Sequence, residues 1–384
     1  MIYLDTSATT PVLPEIMDIV TRTCLTNFGN PSSLHRLGVQ AETIIEDARV
    51  TLAKILRAKP QEIIFTGSGT EANNMAVLGS ARLYQNRGKH IISTAIEHAS
   101  VLEALRQLER EGFDVTYVQP DDRGFVSVQD VEDALRPDTI LISMMYVNNE
   151  TGAIQPVQQV GELVKDRPKT LFHVDAIQAF GKLPIDVDRL HADYVSVSGH
   201  KIHAPKGIGA LYMRRQRKIQ PIVWGGGQEQ NWRSGTQNVP GIAAIGQAAA
   251  MMQEHLAEYT KRMSELRDLL WRKIEQNIPD ISIHSPVGAQ EIAPHILYVS
   301  FPGVRAEVLL HALETDGIYV STASACSSKE MRHSHVLKAM GKTPEQMNSA
   351  IRFSVSPFLQ EKDIECTVDR LHYHVQDLRL LMRR

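Results

Sequence analysis

Three short segments hold most of the chemistry available to this chain. In Phe172-His173-Val174-Asp175-Ala176-Ile177-Gln178, an aspartate closes an apolar run with the length and composition of a buried strand. In Ser198-Gly199-His200-Lys201, a lysine follows the next such run, with a histidine beside it. In Ser321-Thr322-Ala323-Ser324-Ala325-Cys326-Ser327-Ser328-Lys329, a cysteine lies among small polar residues that make a poor core and a good loop. A carboxylate at a buried strand end calls for a donor or a cation. A lysine whose pKa is lowered by its neighbours is a nucleophilic amine. Positive charge from Lys329, His333 and His335 would favour the thiolate of Cys326, the form of cysteine that reacts.

Asp175 and Lys201 together match the needs of pyridoxal 5′-phosphate. A carboxylate against the pyridine nitrogen keeps it protonated, so that the ring withdraws electrons, and an amine forms an imine with the aldehyde. Gln178 could donate to the phenolic oxygen, and Ser198 and His200 could bind the phosphate. Thr66-Gly67-Ser68-Gly69-Thr70-Glu71-Ala72-Asn73-Asn74 reads as a strand-to-helix turn, with Gly69 and Thr70 where free amides favour a phosphate. Its spacing is neither a dinucleotide fingerprint nor a P-loop. His98, in Glu97-His98-Ala99-Ser100, follows a strand that ends near Thr94 and could stack on the ring. Asn149, in Val147-Asn148-Asn149-Glu150-Thr151-Gly152, could reach the phenolic oxygen. Each feature has a plain structural alternative: a helix-capping Asp175, a surface Lys201, a ligand-free cap at 66–74, a packed His98, a turn around Asn149.

The elements that must position these residues follow an alternating pattern. Seven β-rich runs, at 62–65, 90–93, 115–118, 140–143, 171–174, 194–197 and 210–213, are separated by amphipathic stretches at 41–57, 70–85, 101–110 and 157–165. Several runs are apolar on both faces, as in a helix-covered, mostly parallel sheet. This is an α/β pattern, with ligand sites expected at the carboxyl ends of the strands. A long helical region at 241–276 could join two domains. Beyond it, strands at 296–301, 318–320 and 351–355 alternate with helices at 306–315 and 361–382, which reads as a smaller α+β domain. The expected division is 14–255 for the large cofactor-binding domain, and 1–13 with 256–384 for the small one, whose cysteine loop covers about 321–333.

Read in order, these motifs resemble the NifS/IscS-like cysteine desulfurases, a class V group of the fold-type I pyridoxal phosphate enzymes. The resemblance runs nearly end to end. It opens with Tyr3-Leu4-Asp5-Thr6-Ser7-Ala8-Thr9-Thr10-Pro11 and Phe28-Gly29-Asn30-Pro31-Ser32-Ser33, and passes through the segments above. It closes with Arg233-Ser234-Gly235-Thr236, Cys326-Ser327-Ser328 and Ile351-Arg352-Phe353-Ser354. The resemblance implies that Lys201 carries the cofactor, Asp175 meets the ring nitrogen, Gln178 and Asn149 approach the phenolic oxygen, and His98 stacks on the ring and shares in proton transfer. It gives Gly69, Thr70, Ser198 and His200 the phosphate, and sends Thr236 to the phosphate of a neighbouring subunit, hence a homodimer. Arg352, helped by Asn30, would clamp the substrate carboxylate, a task suited to its planar fork. Cys326 would take sulfur from L-cysteine as a persulfide, leaving L-alanine, and pass it to an acceptor protein for iron–sulfur assembly or for tRNA or cofactor thiolation. No resident metal is implied, although Cys326 could transiently ligate a nascent iron–sulfur cluster. The chain departs from the family pattern at Ala323 and at Lys329-Glu330-Met331-Arg332, which leaves the acceptor open.

Composition narrows the alternatives. The chain has 384 residues, 43% hydrophobic, enough for more than one core. A net charge of −3 gives no basic field for nucleic acid. No run reads as a signal peptide or a membrane span. Three cysteines are too few and of the wrong parity for a disulfide framework, which points to the cytoplasm. Cys24 and Cys366 are expected to be small buried hydrophobes on helices. Another pyridoxal phosphate reaction, such as that of an aminotransferase or a selenocysteine lyase, is the nearest rival. A metalloenzyme built on His200 and His203, or on His333, His335 and Cys326, lacks metal-ligand spacing. A non-catalytic sulfur carrier would have no use for Asp175 with Lys201.

Overall fold

The computed structural model describes residues 1–322 and 333–382 of the chain. After β1 (Ile2–Tyr3), the chain builds one large sheet from β2 (Ile63–Thr66), β3 (His90–Thr94), β4 (Asp114–Val118), β5 (Thr139–Met145), β6 (Leu171–Asp175), β7 (Tyr194–Ser198) and β8 (Gly209–Met213). Their order across the sheet is β2-β8-β7-β6-β5-β3-β4. From β7 to β4 every pairing is parallel, whereas β8 runs antiparallel to both β7 and β2. Two reversals restore direction, so β2 points the same way as the parallel strands.

The two-sided apolar runs have a direct cause. Successive side chains on a strand point to opposite faces, and here both faces are covered. Phe65, Ile92, Ile142, Phe172 and Val174 pack on one side with Ile45 and Leu52 of the helix Arg36–Leu56 and Ile242 and Ile245 of the helix Val239–Glu254. Their neighbours Ile64, Ile91, Leu141 and Leu171 pack on the other side with Met75, Val101, Leu105 and Leu108. Gly246 lets the two helices on the first side approach, since a Cβ there would lie 2.8 Å from that of Ala48.

The region expected as one helix at 241–276 is two, Val239–Glu254 and Leu256–Asn277, broken at His255. The stretch expected at 70–85 is a helical run of three parts: Gly69–Asn74, a π-helical turn Met75–Gly79, and Ser80–Tyr84. The helix expected around Cys24 is Pro14–Thr26, with Pro14 in its first turn.

A smaller antiparallel sheet holds β9 (Ser282–Ile283), β10 (Ile296–Ser300) and β12 (Ala350–Ser354), in the order β12-β10-β9. β11 (Ile318–Tyr319) pairs in parallel with β1, which brings the N-terminus to the C-terminal part of the chain. Leu297, Val299, Ile351 and Phe353 face a second core with Leu266, Leu270, Leu309 and Leu371. Ile296, Tyr298 and Ala350, of the opposite parity, join the core of the large sheet instead. Arg352 has the parity of Ala350 and therefore points toward the large sheet.

Cys24 and Cys366 do lie on helices, but both are exposed rather than buried. Ile16 and Thr23 take the inward face of the first helix, and Ile364, Thr367 and Val368 that of the last, which turns both thiols outward.

Candidate active site

The carboxyl ends of β2, β3, β5, β6 and β7 surround a cavity of about 310 Å³. Gly69, Thr70, His98, Asn149, Asp175, Gln178, Ser198, His200 and Lys201 all line it, so residues spread over more than 130 positions of sequence converge on one volume. Ala8, Ser68, Ser100, Met145, Val147 and Ile177 complete the lining.

Asp175 is the last residue of β6 and only 5% exposed. Its Oδ1 accepts the Ile177 amide at 3.0 Å, and its Oδ2 accepts Asn73 Nδ2 at 2.7 Å. Burial pushes its pKa up, against the pull of these donors and of the nearby positive groups. Lys201 lies in the one-turn helix Gly199–Lys201 after β7. Its Nζ donates to the carbonyls of Ser7 and, at 2.8 Å, of Ala8. Burial, with the Arg352 charge second, lowers its pKa to about 8, opposed by Asp5 and Asp175. Lys182 is also buried, donates from Nζ to the Lys201 carbonyl at 2.9 Å, and is pushed down by burial to about 7.

Ser198 Oγ is buried and without a hydrogen-bond partner among the described residues, although it lines the cavity. His200 Nδ1 meets Thr9 Oγ1 at 3.2 Å, and burial lowers its pKa to about 4. Gly69 begins its helix, and a Cβ there would come within 2.4 Å of Ile177 and 3.0 Å of Ser198. The turn before it is braced by Glu71, which accepts the Gly67 amide at 2.7 Å and Arg233 Nε at 2.8 Å. Gln178 Nε2 donates to the Ser7 carbonyl at 2.9 Å, and its Oε1 lies 3.3 Å from His295 Nε2.

His98 caps the helix Ala99–Arg110, with Nδ1 accepting the Ser100 amide at 3.1 Å. Glu97 beside it is fully buried, and burial raises its pKa to about 8. Its Oε1 accepts Thr94 Oγ1 at 2.7 Å and the Met145 amide at 2.9 Å, which ties the ends of β3 and β5 together below His98 and Asn149.

Arg352 is 5% exposed on β12. Its Nη1 donates to the Asn149 carbonyl and its Nη2 to Asp5 Oδ1, each at 2.8 Å, while Nε is buried without a partner among the described residues. Asn30 is exposed, and its Oδ1 accepts the Ser32 amide at 3.0 Å. Thr236 is exposed and lines a different cavity, with Gly67, Glu229 and Arg233. Neither Asn30 nor Thr236 is brought to the cavity of Lys201. Cys326 lies outside the described residues. The carbonyls of Ser7 and Ala8, the side chains of Asn73, Ser100 and Lys182, and His295 were not marked by sequence reasoning. A run such as Glu71-Ala72-Asn73-Asn74 carries no sign of which asparagine turns inward.

The cavity suits pyridoxal phosphate on the chemistry of its donors. Asp175 is a buried carboxylate with neutral donors on both oxygens, in a setting that a cationic ring nitrogen would relieve. Ser198 offers an unused hydroxyl, and Lys201 an amine that is partly neutral near neutral pH.

Fold and cavity together define a protein of the fold-type I pyridoxal phosphate class. The chain belongs to the aminotransferase class-V family, whose sequence profile matches residues 2–366. It is 42% identical over 380 residues to a protein of Dictyoglomus turgidum named cysteine desulfurase IscS, covering 99% of this chain and 96% of that one. It is 44% identical over 384 residues to a protein of the same name from Proteus mirabilis, covering 98% and 93%. Among solved structures, a NifS-like protein superposes with a TM-score of 0.92 at 38% identity, covering 98% of this chain and 99% of that one. SspA in complex with cysteine superposes with a TM-score of 0.82 at 34% identity, covering 94% and 100%.

Proposed function

We propose that this protein is a cysteine desulfurase that uses pyridoxal phosphate to move sulfur from L-cysteine to its own Cys326. The observation that carries the reading is the meeting of Lys201 and Asp175 in one cavity, in a chain similar over nearly its whole length to proteins named cysteine desulfurase. Bound there, the cofactor supplies a sink for the electron pair released at the substrate's α-carbon. Asp175 would hold the ring nitrogen, Gln178 and Asn149 the phenolic oxygen, His98 the ring, and Gly69, Thr70, Ser198 and His200 the phosphate.

Arg352 holds the substrate carboxylate with its fork, exchanging a contact now made to Asp5. The Lys201 amine takes the α-proton; its lowered pKa makes a neutral base available near neutral pH. The Cys326 thiolate attacks the substrate sulfur. The Sγ–S bond forms as the Cβ–S bond breaks, the released electron pair takes a proton at Cβ, the α-proton held by Lys201 returns to Cα to complete alanine, and the persulfide holds the transferred sulfur. An acceptor protein for iron–sulfur assembly or thiolation then takes it.

Several parts of this reading have narrower support. The second core draws on Leu4 and on residues from Met263 onward, which favours division into a large domain at 14–255 and a small one at 1–13 and 256–384. Thr236, exposed and away from the Lys201 cavity, is free to serve the phosphate of a second subunit in a homodimer. No helix among the described residues is long and apolar enough to cross a membrane. The sparse cysteines favour the cytoplasm.

The test is a visible spectrum of the purified protein before and after L-cysteine, with alanine and sulfide assayed together, on the wild type and on Cys326→Ala. Wild type gives alanine and, with a thiol reductant, sulfide in equal amounts. Cys326→Ala retains the cofactor band and loses both products. Full sulfide release by Cys326→Ala would refute the transfer step.

A further inference from the structure

The side chain of His98 is held by a chain of hydrogen bonds that reaches the floor of the cavity. Its Nδ1 lies 2.8 Å from Ser100 Oγ, besides accepting the Ser100 amide at 3.1 Å. Ser100 Oγ accepts Asn73 Nδ2 at 2.8 Å, and the same nitrogen donates to Asp175 Oδ2 at 2.7 Å. Asn73 is 0% exposed, and its Oδ1 is without a partner among the described residues.

The direction of every hydrogen in this chain is fixed by its neighbours. An ionised Asp175 only accepts, so Asn73 must turn its amine toward it and leave its carbonyl idle. That amine has only hydrogens to offer, so the Ser100 hydroxyl accepts one and gives its own hydrogen to His98 Nδ1. The Ser100 backbone N–H cannot turn round and also points at Nδ1. A ring nitrogen facing two donors carries no hydrogen, so a neutral His98 bears its single hydrogen on Nε2.

We propose that Asn73 and Ser100 are positioning residues that relay the ionised state of Asp175 to His98 and hold it as the neutral Nε2–H ring. His98 then serves the cavity as a hydrogen-bond donor, not as a general base. Taking a substrate proton would need a bare Nε2, and charging the ring would set a hydrogen on Nδ1 against two donors. Proton abstraction is left to Lys201. This assignment of roles rests on the desulfurase reading; the state of the ring does not.

The surroundings push the same way. Burial lowers the pKa of His98 most. Asp175 at the end of β6 opposes this, and Lys201, His335 on the helix His335–Ala339 and Arg352 on β12 reinforce it. His335 itself is held by its Nε2 contact with the Glu97 carbonyl at 2.9 Å.

The test reads the ring directly. Holoenzyme labelled with 15N-histidine, without substrate, is titrated by solid-state NMR from pH 4 to 9, with His98 assigned by the signal lost in His98→Gln. The expected wild-type signature is a bare Nδ1 and a protonated Nε2 from pH 6 to 9, with the ring charging only at the acid end of the titration. A hydrogen on Nδ1, or an imidazolium at pH 7, overturns the proposal. Ser100→Ala removes one of the two donors while the backbone N–H remains, so the protonation constant of His98 rises about three- to tenfold. Ser100→Thr, which keeps the hydroxyl, restores the wild-type value. Asn73→Ala, which leaves the Ser100 hydroxyl undirected, moves the constant the same way as Ser100→Ala. Unchanged titration in both Ser100→Ala and Asn73→Ala refutes the relay. Failure to convert cysteine to alanine would sink the functional reading and leave these signals where they are.

Discussion

The amine of Lys201 sets a measurable pH dependence on cofactor capture. Only the neutral amine attacks an aldehyde. With a pKa of about 8, imposed by burial and by the charge of Arg352, the neutral fraction is roughly a tenth at pH 7, a half at pH 8 and nine-tenths at pH 9. Capture of pyridoxal phosphate by the cofactor-free protein should therefore quicken about fivefold from pH 7 to pH 8, and only about twofold more by pH 9. An ordinary lysine, titrating near 10.4, would instead show a tenfold rise per unit across the whole range. Removing the Arg352 charge leaves burial in place and withdraws one of the causes that lower Lys201. Arg352→Gln should thus move the curve toward higher pH without abolishing it. The assay is stopped-flow absorbance of the coloured lysine–cofactor adduct near roughly 400 nm, with borohydride trapping and peptide mapping to Lys201. A profile still rising tenfold per unit at pH 9, or one indifferent to Arg352, would refute the electrostatic account of this lysine.

Two further outcomes follow from the same geometry. Arg352→Lys keeps the charge but loses the fork that reaches Asn149 and Asp5, and forfeits a charged hydrogen bond of about 1.5–3 kcal/mol. The KM for L-cysteine should rise about tenfold to a hundredfold, with kcat less affected; an unchanged KM would remove Arg352 from carboxylate recognition. Lys182 is depressed to about 7 in the folded protein and returns to about 10.4 on unfolding, so between these values the unfolded chain binds the extra proton and stability rises with pH. Against Lys182→Met, the wild type should gain on the order of 1.4 kcal/mol per pH unit from pH 7 to 9 in urea unfolding, and a difference flat with pH would show that Lys182 is not neutral when buried.

What could be read from the chain and what could not divides along physical lines. All seven strands of the large sheet lie within a few residues of the apolar runs at 62–65 through 210–213. For six of them, burial on both faces leaves an unbroken hydrophobic signal. The part-buried edge strand β4 shows instead through its β-branched and aromatic residues. The helix expected at 241–276 failed at His255, since a break at one ordinary residue leaves the apolar spacing on either side intact. Cys24 and Cys366 were expected inside, but facing depends on the phase of the helix against its neighbours, and residue type alone does not carry it. Asn73 and Ser100 lay within motifs already singled out and still went unmarked. Their importance is a matter of which way an amide and a hydroxyl point once two helices have been placed beside β6.

The sequence by itself determined the chemical inventory: an amine, a carboxylate, imidazoles and a glycine turn, each at the end of a run whose apolar pattern requires a buried strand, and a thiol in a run of small polar residues. The tertiary structure decided what those groups are to one another. Parallel pairing set the ends of β5, β6 and β7 side by side, and two reversals through β8 brought β2 to the same edge. The parallel bridge between Asp5 and Ser354 of β12 carried Asp5 to Arg352, and the Ser7 and Ala8 carbonyls close by took the lysine amine. Such relations depend on distance and direction between segments far apart along the chain. Local pattern encodes neither, because burial and pairing are properties of the assembled core.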